Sequence, residues 1–424
     1  MKRGGTHAGP SRREVLHLEL APSSADADAV RDISDLQRMR LMQRPLAATS
    51  SGARPLARLS RALDDSYALE LDESAVWIDG APIRGSDVEA GLAAGVRSLA
   101  AYASLVGLRC EPDCRVRSEK IHVRAECGLR SLLSLLSRPA FRPRRVSSRG
   151  PEGTGPYVPD RASGGLLDPA TGSTVVFHVE AAAARALALF DAGELDATAP
   201  SCFEIAKLAA GQDCFVPFAS DLHAMLLFNP TRAERLSSYA GRCALAVRLS
   251  GWLSGWDGRG QLIAPNPVLR DLPAAPIDAD PTDLELVFAD YWPNRALMRK
   301  VAAALRELGW PAPRLRPMSL SGLLEATSSA RFDVALVIVQ GTFGRALSPW
   351  ATAAAAAARI PGCTSRVLET FRAVCRGEAN LAALVENVLP SVPLLPLCHF
   401  DSGYLTRDRS RWRCVDDEPV LSRG

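Results

Sequence analysis

In the second half of the chain TDLELVFADY (282–291) reads as a strand, RALMRKVAAALRELG (295–309) carries its apolar residues at helical spacing, and RFDVALVIV (331–339) reads as a strand again. Apolar runs separated by an amphipathic helix bury both strands only if they lie side by side beneath it, so this stretch has to fold as a strand-helix-strand unit of an α/β lobe. The start of the chain repeats the alternation. VLHLEL (15–20) is strand-like, and in VRDISDLQRMRLMQRPLA (30–47) the residues Val30, Ile33, Leu36, Met39 and Met42 step along one helical face. Two such stretches in a chain of 424 residues call for two lobes, since a single core stops growing at roughly 250–300 residues.

Between them, SYALELDESAVWIDGAPI (66–83) predicts a hairpin turning at Asp79-Gly80, where glycine supplies the positive φ of a tight turn. SDVEAGLAAGVRSLAAYASL (86–105) predicts a helix with Asp87 and Glu89 at the positive end of its dipole. An alternating segment (115–125), a short helix (128–137) and a loop rich in Pro and Gly up to about 173 follow. STVVFHVE (173–180) is a strand, AAAARALALFDAGEL (181–195) a helix ending near Gly193, and AMLLFN (224–229) a buried strand. TAAAAAARI (352–360) reads as a helix and SVPLLPLCHF (391–400) as a short extended segment.

The totals exclude several classes. A formal net charge of +3, with arginines scattered along the chain and lysine only at Lys2, Lys120, Lys207 and Lys300, gives no basic stripe for nucleic acid. The denser run RPAFRPRRVSSRG (138–150) has the Pro and Ser content of a solvated loop. No window approaches the roughly 18 apolar residues of a membrane span, so no membrane insertion is expected. Residues 1–14, read as a tail, hold basic residues with no apolar core behind them, and the sequence as written is expected in the cytoplasm. The ten cysteines lie singly and read as thiols; Cys110, Cys114, His122 and Cys127 are too loosely spaced for a zinc site. His178 and His223 sit alone in apolar stretches and read as structural. No nucleophile elbow, H-E-x-x-H or phosphate loop is present, so neither catalytic residues nor a cofactor or metal are expected.

In order along the chain, VWIDGAPIRGSDV (76–88), GTGPY (153–157), FHVEAAAARALALFDAGELDA (177–197), LLFNP (226–230), RFDVALV (331–337) and LPSVPLLPL (389–397) resemble segments of the family 5 extracellular solute-binding proteins of ABC transporters, which include oligopeptide, dipeptide and nickel binders. The resemblance spans about 15–415. It implies a two-lobed α/β fold of the periplasmic-binding-protein-like type II, with a ligand cleft between the lobes. Lobe I would be 15–228 plus 396–424, with a hairpin-helix subdomain at about 47–150, and lobe II would be 229–395. The chain would cross between them near LLFNP and VPLLPL. The implied role is binding of a small, peptide-like or carboxylate-bearing molecule by lobe closure, as a monomer, with an ABC permease as partner. A cytoplasmic sensor or biosynthetic enzyme on the same fold, without a transporter, is the alternative.

The chain departs from the family in the stretch after the FD strand. Peptide binders carry an acid there for the ligand's ammonium, whereas VIVQGTFGRALSPWATAA (337–354) has Arg345 as its only charged group. A guanidinium suits a carboxylate or phosphate. Arg345 is therefore the first candidate ligand contact, with Gln340, Phe343 and Trp350 as hydrogen-bonding and aromatic walls. Ser23 and Ser24, after the first strand, are candidates by analogy with the family's early cleft-facing loop.

Overall fold

The computed structural model describes residues 12–22, 32–48, 54–62, 66–110, 120–146, 153–160, 162–201, 203–254, 263–273, 283–311, 313–360, 364–415 and 418–423. In the first lobe β1 (Arg13–Leu18) runs parallel to β8 (Thr174–Val179), which is extended by β7 (Leu166–Leu167) and β6 (Val158–Pro159). A small sheet has the order β2 (Ala57–Arg61), β3 (Ser66–Leu71), β5 (Lys120–Arg124), β4 (Arg109–Cys110). The largest sheet has the order β10 (Ile263–Pro265), β14 (Leu394–Leu405), β9 (Phe215–Phe228), β13 (Val334–Gln340), β11 (Glu285–Ala289), β12 (Arg314–Met318). A hairpin of β15 (Trp412–Val415) and β16 (Glu418–Arg423) follows.

The strand-helix-strand unit expected at 282–339 is present and doubled. β11 lies parallel to both β12 and β13, linked through helices Asn294–Glu307 and Leu320–Ser328. Leu297, Met298, Val301, Ala302 and Leu305 form the buried stripe of the first of these helices. β12 escaped the sequence reading because RLRPM has arginines at 314 and 316 and a proline at 317, tolerable only on a sheet edge.

Local chemistry moved other boundaries. Helix Ile33–Met42 is capped by Asp32, whose side chain accepts from the Asp35 amide at 2.9 Å. It stops short of 47 because Arg44 precedes Pro45 and a residue before proline avoids the helical region. The helix expected at 86–105 is broken at Leu99 into Gly85–Ser98 and Ala100–Leu105. The expected hairpin at 66–83 is not formed. β3 pairs instead with β2 and β5, and only an isolated bridge joins Val76 to Pro82 around the turn at Gly80, φ 81°. Pro82 has no N–H to extend that bridge into a ladder.

The apolar residues segregate into separate cores. One contains Leu16, Met39, Tyr157, Val175, Tyr404 and Trp412, and a neighbouring one Ala186, Phe190, Ile205 and Leu405. The largest joins the small sheet and its helices (Leu69, Trp77, Leu92, Val123, Leu135) to the large sheet and its helices (Leu226, Phe288, Val301, Trp350, Phe371, Leu395). Polar clamps reinforce that union. The Arg372 guanidinium donates to the carbonyls of Leu105 (3.1 Å) and Ser104 (2.9 Å) and pairs with Glu126, and Arg376 donates to the Glu126 carbonyl at 3.0 Å. The small sheet and its helices thus share one core with the large sheet and its helices.

Two long strands tie the lobes together. The halves of β9 and β14 nearest β13 and β10 (222–228 and 394–400) belong to the large sheet. Their other halves (215–219 and 401–405) join the first lobe, where Ala197 bridges Leu16 on one side and Thr406 on the other. The ladder changes register between them: Phe400 faces Leu222 but Asp401 faces Ala219, leaving Ser220 and Asp221 in a bulge. β9 ends at Phe228, inside LLFNP, and β14 begins at Leu394, inside VPLLPL.

Candidate functional site

The bulge gathers polar side chains at the level where the chain passes between lobes. Asp221 is 5% exposed. Its carbonyl accepts from the Gly341 amide at 2.6 Å, and its Oδ2 accepts from the Ser348 hydroxyl, also at 2.6 Å. The Ser348 oxygen in turn accepts from the amides of Thr342 (3.0 Å) and Phe343 (2.9 Å). Position 341 has to be glycine, because a Cβ there would stand 2.2 Å from the Asp221 carboxyl group. Arg138, following helix Leu129–Leu136, donates to the Gly341 carbonyl at 3.3 Å. One buried carboxylate therefore fixes the 341–348 loop, and the small-sheet unit reaches the same loop.

Two histidines flank this knot. His223 and His399 face each other across the β9–β14 ladder, ring centroids 6.5 Å apart in an edge contact. Neither ring nitrogen of His223, nor Nδ1 of His399, has a hydrogen-bond partner among the described residues. Burial and then the neighbouring His399 push the His223 pKa down to about 3, and burial followed by the Arg345 charge pushes His399 to about 4. Both rings are held in the neutral form at pH 7.

A second polar group spans the lobes farther out. Glu19, just past β1, is half-buried and its pKa is pushed up to about 7 by burial and then by the charge of Glu204 on helix Phe203–Ala209. Lys207 on that helix stacks over the Trp292 ring at 5.5 Å, and Tyr291 beside it is raised to about 12, mainly by burial. Trp292 and Tyr291 follow β11 of the large sheet, so carboxyl and ammonium groups of the first lobe meet aromatic rings of the second.

The residues proposed from sequence separate here. Arg345 forms an ion pair with Asp401, both side chains about one-third exposed (35% and 34%). Its charge is met inside the protein by an acid 56 positions away in sequence, so the stretch is not the uncompensated cation that its local composition suggests. Trp350 is fully buried and Phe343 packs between Tyr102 and Phe371, with ring centroids 6.0 and 5.4 Å away. Both rings pack in the large core. They were assigned by proximity to Arg345, but Trp350 lies on the inward face of helix Ser348–Ala357. Gln340, the last residue of β13, is half-buried with Nε2 lacking a partner among the described residues. Ser23 and Ser24 lie outside the described residues, as does Cys114 of the cysteine group. Asp221 and Ser348 were missed, although a carboxylate inside ASDLHAMLLF (219–228) was a visible anomaly in an apolar run.

No protein-family model matches the chain, and no curated protein matches it in sequence. Its fold does match solved structures over nearly the whole length. The Haemophilus influenzae OppA complex with the peptide RPPGFSPFR has a TM-score of 0.72 at 14% identity, covering 98% of this chain and 99% of that one. A periplasmic oligopeptide-binding protein of an ABC transporter from Borrelia burgdorferi also gives 0.72, at 11% identity over 98% and 100%. A substrate-binding protein from Microbacterium hydrocarbonoxydans complexed with 4-hydroxybenzoate hydrazide gives 0.71, at 15% identity over 98% and 100%. The chain has the two-lobed type II fold of the family 5 solute-binding proteins.

Proposed function

We propose that this chain is a solute-binding protein that closes its two lobes on a small ligand, peptide-like or carboxylate-bearing, and presents it as a monomer to an ABC permease. The observation that carries the reading is the pair of long strands, β9 and β14, that pass between lobes and shift register twice, between Pro396 and Cys398 and, with Ser220 and Asp221 left over, between Phe400 and Asp401. Paired strands with a bulge at the crossing are suited to bend there while each lobe stays rigid. The lobes in this reading are 12–219 with 401–423, less the small-sheet unit, and 222–400 together with that unit. The solved relatives in complex with a peptide and with a hydroxybenzoate hydrazide support a ligand of that size class.

In this reading Arg345 and Asp401 stand at the closing edge, and a ligand carboxylate exchanges with Asp401 for the guanidinium. Gln340 offers its amide beside them. Native mass spectrometry of the gently purified chain, before and after denaturation, is expected to reveal a bound small molecule. Arg345→Ala is expected to weaken that molecule by about 1.5–3 kcal/mol, the worth of a charge-assisted hydrogen bond. Unchanged affinity in the variant removes Arg345 from the site. A ligand-bound sample no more compact in solution scattering than the emptied one removes closure.

A further inference from the structure

We infer that Cys127 and Cys375 are a modification site, a thiol pair that a low-molecular-weight disulfide oxidises to an internal disulfide stapling the small-sheet unit to the second lobe. Cys127 stands just ahead of helix Leu129–Leu136 of the small-sheet unit, and Cys375 lies in the last turn of helix Thr364–Arg376. Both are free thiols here, Cys127 buried and Cys375 half-buried, and both pack in the largest core.

Backbone contact carries the inference. The two segments touch on either side of the cysteines: a Cβ on Gly128 would stand 2.6 Å from the Cys375 carbonyl oxygen, and the Arg376 guanidinium donates to the Glu126 carbonyl at 3.0 Å. A disulfide needs α-carbons within about 7 Å, and segments in contact of this kind supply that. The side chains turn toward one place. A hydrogen bond from Ser131, in the first turn of helix Leu129–Leu136, reaches the Cys375 thiol, opposing the upward push of burial on its pKa. Burial, and then the neighbouring Cys375, pushes the Cys127 thiol up to about 12. The other described thiols, Cys214, Cys243, Cys398 and Cys414, sit on or beside other elements.

The step is thiol–disulfide exchange. The thiolate of Cys375, the more exposed of the two, attacks one sulfur of the small disulfide, forming a mixed disulfide and releasing one small thiolate. Cys127 then loses its proton and attacks the Cys375 sulfur, which forms the internal bond and releases the second. The protein gives up two protons and two electrons, and the small disulfide leaves as two thiols. Burial holds both cysteines protonated at neutral pH, so the exchange runs faster as pH rises.

Oxidised glutathione, added to the full native chain at about pH 8.5, tests this. The product is expected to weigh about 2 Da less than the reduced chain. Non-reducing proteolysis should yield a peptide pair joining Cys127 to Cys375. The urea midpoint should rise and fall back with dithiothreitol, since the bond closes a loop of about 250 residues. Cys127→Ala is expected to stop at a glutathione adduct on Cys375, and Cys375→Ala to form no internal bond. No reaction, glutathione retained on both cysteines, linkage of other cysteines alone, or a Cys127–Cys375 link that appears only in urea overturns the inference. Neither cysteine lies on β9 or β14, so failure here leaves the interlobe reading standing, and the reverse holds too.

Discussion

Replacing Ser348 by alanine should cost far more than a lost hydroxyl usually does. The side chain is 1% exposed and serves three partners: it donates to the Asp221 carboxylate and accepts from two backbone amides. The hydrogen bond to a charged group is worth about 1.5–3 kcal/mol, and each amide left buried without an acceptor costs a further 1–3 kcal/mol or so. The lower ends of these ranges already total about 3.5 kcal/mol, and a methyl group leaves little room for a replacing water. We expect Ser348→Ala to lower the unfolding free energy by about 3–5 kcal/mol, read as a fall in the urea midpoint with unchanged slope. A double-mutant cycle with Asp221→Asn should return a coupling of at least about 1 kcal/mol. A loss below about 1 kcal/mol, or additive effects, would show that water or another donor satisfies these groups and that the carboxylate does not organise the loop.

Acid should destabilise the protein through the paired histidines. Their pKa values fall from 6.5 in the unfolded chain to about 3 and about 4 in the fold, so the unfolded state binds more protons between these limits. Stability is then full above pH 6.5 and declines as pH drops toward 3, and His223→Leu should flatten part of that slope in a urea titration against pH. Equal slopes would mean the rings take up protons without unfolding. Arg372→Ala should loosen the small-sheet unit from the second lobe, costing about 1.5–3 kcal/mol and speeding hydrogen exchange around 100–108. Exchange that speeds up only within helix Thr364–Arg376 would deny the clamp.

The α/β alternation and the order of segments were legible in sequence because each element's apolar spacing is local. The length of the crossing strands was not. SVPLLPLCHF looked short, since the polar DSGY that follows breaks the apolar run, yet β14 continues to Leu405 because Phe215–Ala219 pairs with it from 180 or more positions away. The surroundings of Arg345 were hidden for the same reason. Arg345 was visible, but Asp401 approaches it from another strand, and helical phase rather than sequence proximity decided that Trp350 points inward. Asp221 offered the one usable signal, a carboxylate where only apolar residues were expected.

The Gln37 side chain exchanges two hydrogen bonds with the backbone of Leu421, at 2.9 and 2.7 Å, across 384 positions of sequence. A ribosome adding about 5–20 residues per second therefore leaves that glutamine waiting roughly 20–80 s for its partner. Over that interval the large sheet is also short of β14, so the strand that completes the second lobe and the one that seals the first emerge within seconds of each other. The two halves of the molecule are born almost together, and a chain stalled before residue 394 has neither.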